Sequence, residues 1–135
     1  MSVPSVMVEI SPGELIDRLT ILELKLARIA DPAKLANVRR EHATLVAVHD
    51  DAVPSSSALT ALRAELADVN GKLWDVEDSV RACERAQDFG ADFVALARSV
   101  YQLNDQRGRI KRDIDILLGA RFHEEKSHDL PEAEG

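Results

Sequence analysis

One side chain in this 135-residue chain sits where its neighbours forbid it. From Phe93 to Leu117 apolar residues return at alternating steps of three and four: Phe93, Leu96, Val100 and Leu103, then Ile110, Ile114 and Leu117. The step between Leu103 and Ile110 falls on Arg107. Burying a guanidinium costs several kcal/mol unless an anion meets it. Asp17, Glu23, Glu77 and Glu84 are the carboxylates on neighbouring apolar stretches that can do so.

Two chemistries follow, beside the plain reading of a side chain that snorkels out to solvent. A paired Arg107 acts as a polar seam residue that specifies helix register and orientation. Arg107→Leu is then expected to fold at least as well, because a buried ion pair is often no better than an apolar substitute. An Arg107 left for a ligand would instead head a pocket for a compact anion. Lys111, Asn104 and Tyr101 share its broad helix face, and Arg18 and Lys25 would approach from the first helix. The sequence favours the first chemistry.

Other reactive types carry weaker signals. Glu77-Asp78, Asp113 with Asp115, and Glu124-Glu125 read as solvated helix faces and tail. A carboxylate needs an apolar pocket before its pKa rises enough for acid catalysis. His42 and His49 stand two turns apart, about 10 Å along a helix axis, whereas chelation prefers steps of three or four. His123 and His128 flank an acidic tail and complete no ligand set. Cys83, the single cysteine, occupies a seam position as a small apolar residue. Ser11-Pro12-Gly13 opens a helix whose free N–H groups attract anions, but a capping box through Glu14 is expected to occupy them. No catalytic residue, metal site or cofactor is therefore expected.

The elements that must position these residues are helices. Residues 1–10 read as an extended arm. Ser11-Pro12-Gly13-Glu14 has the form of a capping box with proline at the first helical position. Leu15, Leu19, Leu22, Leu26 and Ile29 then mark one apolar stripe on a helix over 12–30. Asp31-Pro32 closes it and opens a second helix, 33–49, with Leu35, Val38, Leu45 and Val48 inward. Residues 50–57, DDAVPSSS, read as the main connection, ending on a Ser57 cap. A third helix, 58–87, carries a seam from Leu59 through Leu66, Leu73 and Val80 to Cys83, with Trp74 beside it as a core or interface anchor. After Asp88-Phe89-Gly90 the fourth helix runs over 92–118, and Gly119 ends it. The fold class is all-α, a short and a long antiparallel helical hairpin forming a four-helix bundle-like domain. The long hairpin must overhang the short one, leaving part of its seam for a second copy to cover. From residue 120 an acidic tail follows, with disorder expected from about Leu130 and Phe122 expected to tack its start onto the bundle.

Composition narrows the function classes. The apolar share is 45%, enough for a core, while aromatics are 4%, too few to build a stacking platform. The net charge is −7, with the excess acid in residues 50–90 and in the tail. No segment offers the basic face that neutralises phosphates, so nucleic acid is not an expected partner. No apolar run approaches the roughly 20 residues that cross a bilayer. A lone cysteine and the lack of a signal-like start point to the cytoplasm.

The chain also resembles an uncharacterised bacterial family of short all-helical proteins, a domain of unknown function. The likeness rests on Ile10 to Leu15, Asp17, Leu19 to Glu23 and Lys25 near the start. Leu73-Trp74, Glu77-Asp78, Val100-Tyr101, Asn104-Asp105, Arg107 and Ile110-Lys111 continue it, and Glu124 to Ser127 complete it. The resemblance implies a single-domain protein and brings no substrate. The reading that physics then favours is a non-enzymatic helical protein-interaction or self-association module, most simply a homodimer, with a protein partner as the other occupant. The alternative is a small helical enzyme or binding protein for a compact carboxylate or phosphate.

Overall fold

Three of the four helices described here begin where a side-chain oxygen stands in for a missing carbonyl. The computed structural model describes residues 3–122, in four helices: α1 (Pro12–Arg28), α2 (Pro32–Ala52), α3 (Ser57–Ala86) and α4 (Ala91–Leu117). The Ser11 hydroxyl accepts from the Glu14 N–H at 3.2 Å, Asp31 from the N–H groups of Ala33 and Lys34, and Ser56 from Leu59 at 3.1 Å. Gln87 stops α3 in the left-handed region at φ 55°, and Gly119, at φ 67°, follows α4.

One connection is shorter than the sequence predicts. α2 runs on through Asp50, Asp51 and Ala52, so only residues 53–56 join it to α3, and Ser56 rather than Ser57 is the cap. Asp and Ala weaken or favour a helix without forbidding it. Pro54 does forbid it, by pushing Val53 into extended backbone at φ −107° and ψ 118°. Residues 3–11 carry no helix and no strand, and Val3, Val6, Met7 and Val8 of this arm are exposed. Arg121 holds Glu9 at 3.1 Å, tying the arm to the end of α4.

The molecule is two antiparallel hairpins, α1–α2 and α3–α4, packed as an all-α, bundle-like domain. α1 lies against both helices of the long hairpin, while α2 packs along α1 alone. Val38 is accordingly the one buried side chain of α2, and Val48, expected inward, is half-exposed. The core sits at the base of the long hairpin. Ile16, Leu59, Leu66 and Ile114 form its centre, with Leu62, Ile110, Leu118 and Val53 around them.

Length explains where the core stops. At ~1.5 Å per residue, α1 reaches roughly 26 Å and α3 roughly 45 Å. Between Asn70 on α3 and Gly108 on α4 no residue of the hairpin is buried, although the three-four seam continues to the tip. We call residues 71–107 the distal hairpin and the remainder the base. Among the described residues, no helix is long and apolar enough to cross a membrane.

Candidate functional site

Asp17 answers the question posed by Arg107. It stands on the inner face of α1 with 1% of its surface exposed. The Arg107 Nε–H donates to Asp17 Oδ1 at 2.9 Å, and Nη2 donates to Oδ2 in a closer contact. Asn70 on α3 donates one amide hydrogen to Asp17 Oδ1 at 2.9 Å and the other to Thr20 Oγ1 at 3.0 Å. The Thr20 hydroxyl in turn donates to the Asp17 carbonyl at 2.8 Å. Three helices are thus tied at one level by a network in which each of these donors finds an acceptor. Such networks rigidify a core when every member is satisfied. With these three donors the Asp17 carboxylate ties α1 to both α3 and α4.

A second polar cluster lies one turn nearer the base. Lys111, buried on α4, places Nζ 2.7 Å from Glu14 Oε2, and exposed Arg18 reaches the same carboxylate at 3.3 Å. Burial works to raise the Glu14 pKa, and the Lys111 ammonium bonded to it outweighs that, with help from Arg18, so the carboxyl titrates below its ordinary value. The Glu14 side chain therefore points across to α4 and along α1. Of the expected capping box, the Ser11 half forms, and the Glu14 carboxylate goes to Lys111 and Arg18.

The base of α1 explains why glycine follows proline there. Its N–H donates to Asp115 Oδ1 at 2.7 Å, so a carboxylate from α4 caps the N-terminus of α1. A Cβ at Gly13 would stand 2.4 Å from the Lys111 carbonyl oxygen, which is backbone and cannot swing away. Asp115 is fully buried, whereas the sequence pattern placed it on a solvated face. Its Oδ2 has no hydrogen-bond partner among the described residues.

The six residues of the anion-pocket expectation divide among different surroundings. Arg107 and Asn104 line an open groove of about 350 Å³ between α1, α3 and α4. Ile21, Leu24, Leu73 and Trp74 form its apolar wall, and Glu77, Asp78 and Arg81 its distal edge. Lys111 and Arg18 belong to the Glu14 cluster. Tyr101 is 57% exposed on the distal hairpin, and Lys25 is partly buried on α1 outside the groove lining. Glu23, the other α1 carboxylate considered for Arg107, is taken by Arg63 at 2.7 Å, with His42 at 3.9 Å. His49 lies 3.1 Å from Asp50, and no three His, Cys, Asp or Glu side chains among the described residues gather as a metal site. Trp74 packs under the Arg28 guanidinium, 5.8 Å from its ring centroid.

Sequence reasoning missed Asn70, Thr20 and Asp115. One signal for the first was present: Asn70-Gly71, a turn dipeptide, stands inside an unbroken helical seam, where such residues need a packing or bonding reason. Phe122, expected to tack the tail to the bundle, is half-exposed beneath Arg121. The expectations for Glu124 to Ser127 and for residues after Leu130 lie outside the described residues.

Comparison with known proteins adds one finding. The model of a family described as a family of unknown function (DUF6165) matches residues 6–133. No curated protein and no solved structure matches the chain.

Proposed function

The chain belongs to the DUF6165 family of unknown function, and from that premise we propose that it is a non-enzymatic helical module that self-associates through its distal hairpin. One observation carries this reading: a seam with coiled-coil spacing runs for about seven turns on each helix of the long hairpin, and α1 covers only its base. Beside the distal part of that seam, Val94 and Tyr101 on α4 and Phe89 in the turn before it are between 43% and 57% exposed. Two helices joined by a turn bury too little to hold such a length rigid, so a further helix face completes the packing. A two-fold pair closes an exposed apolar patch with a single self-complementary contact.

The alternative, binding of a compact carboxylate or phosphate, is favoured by the groove that Arg81 and Arg107 help to line. Against it, Asp17 already neutralises Arg107, and Glu77 and Asp78 share the lining. Light scattering after size exclusion tests the proposal: the expected mass is about twice the chain's 14.9 kDa. A single-chain mass held to high micromolar concentration overturns it.

A further inference from the structure

α4 carries a second row at three-four spacing, beside the one that faces α3. Toward the base this row is Gly108, Lys111 and Asp115, all buried, and α1 lies over it. Toward the tip the same row becomes Tyr101, Ala97 and Val94, all exposed. α3 has a matching row. Its basal members Leu66 and Asn70 are buried, and Asn70 bonds to α1; its distal members Glu77, Arg81 and Glu84 are exposed. α1 ends at Arg28, whose guanidinium reaches Asp75 and covers Trp74. Beyond that level the position of a third helix over the hairpin is vacant among the described residues. It stays so for about 11 residues of α3, roughly 17 Å.

We infer that this vacant position is filled by the same face of a second copy, laid antiparallel, so that α4 meets the partner's α4 and α3 meets the partner's α3. The inference rests on the self-association reading and adds its arrangement and its recognition residues. Chemistry selects the direction. In a parallel two-fold pair the axis runs along the hairpin, and each α3 faces the partner's α4. Glu77, Arg81 and Glu84 would then be pressed onto Val94, Ala97 and Tyr101, which strips charges of water without a counter-charge. In the antiparallel pair the apolar α4 row meets itself. The α3 row, alternating acid, base, acid, also meets itself. A half-turn offset from Arg81 brings each guanidinium beside the partner's Glu77 or the partner's Glu84. Like charges directly opposed are costly, so this alternation sets direction and register.

Three full-length variants test the arrangement: Tyr101→Asp, Arg81→Glu, and Glu77→Arg with Glu84→Arg. Circular dichroism first checks that each keeps the wild-type helix content, as expected for substitutions at exposed positions. Sedimentation should then show each homodimer weakened about tenfold or more. Mixing Arg81→Glu with the double-arginine variant should restore a dimer. A spin label at Gln87→Cys, with Cys83→Ser, should report tips roughly 24 Å apart along the hairpin axis where Arg81 meets the partner's Glu77, or roughly 14 Å where it meets the partner's Glu84. Labels in van der Waals proximity mean a parallel pair and overturn the inference, as does a dimer indifferent to Arg81→Glu and Tyr101→Asp. Both results leave self-association standing. A wild-type monomer removes the two proposals together.

Discussion

At the scale of single residues, the pairing of Arg107 with Asp17 reverses what the sequence implies about Arg107→Leu. The apolar seam alone predicts a tolerated change. A partner with 1% exposure predicts otherwise, because removing the guanidinium leaves a buried carboxylate that has lost its bidentate cation and keeps the Asn70 amide. Breaking one side of such a pair costs about 3–5 kcal/mol, while replacing both sides is often neutral. Urea unfolding should therefore show Arg107→Leu strongly destabilised and Arg107→Leu with Asp17→Leu recovering most of the loss. A double variant that loses as much as the Arg107→Leu and Asp17→Leu single variants summed would mean that the pair does not act as a unit. The same proteins separate the functional readings. Phosphate is expected to leave the wild-type melting temperature unmoved. A rise of several degrees that the double variant lacks would mark Arg107 as a ligand contact, by mass action.

At the scale of elements, the docking of α1 on α4 hangs on charge at the N-terminus of α1. Gly13 presents its N–H to Asp115, and Glu14 takes the buried Lys111. Glu14 has a folded-state pKa below its ordinary value. Its contribution is therefore fully present above the unfolded carboxyl pKa of about 4 and is lost as pH falls through the lower folded value. Glu14→Gln should be less stable than wild type at pH 7, and the gap should close as pH falls through the lowered folded-state pKa of Glu14. Denaturation midpoints across that range supply the check. Profiles that stay parallel down to acid pH would show that the Lys111 contact contributes nothing to docking.

At the scale of the whole molecule, the packing is uneven: a base with three helices in mutual contact, an outer helix on one neighbour, and a hairpin reaching past its cover. Local stability follows buried contacts. Amides of α1, of α3 before Asn70 and of α4 after Gly108 should exchange slowest. Those of α2 and of the distal hairpin should exchange sooner at low concentration. Raising the concentration should protect the distal hairpin and leave α2 unchanged, since the vacant face belongs to the hairpin. Protection that rises equally everywhere, or only along α2, would put the contact between copies elsewhere.

The sequence by itself determined the four helices, the caps at Ser11 and Asp31, and the grouping into a short and a long hairpin, because those features depend on neighbours within a few residues. The third cap it put one residue late, at Ser57 in place of Ser56. Ser11, Asp31 and Gly119 work where their local patterns put them, and the seam of the long hairpin runs where its spacing says. The sequence also showed that Arg107 needs an anion. Only the tertiary structure chose Asp17 from four carboxylates, and only it buried Asp115, whose neighbours in the chain resemble those of exposed Asp113. Both choices depend on where α1 crosses the hairpin, a contact between residues about 90 to 100 positions apart. The same crossing decided which half of a uniform seam became core and which half was left for another surface. Helical periodicity reports that a side chain faces a neighbour, and the identity and reach of that neighbour are set by packing between distant parts of the chain.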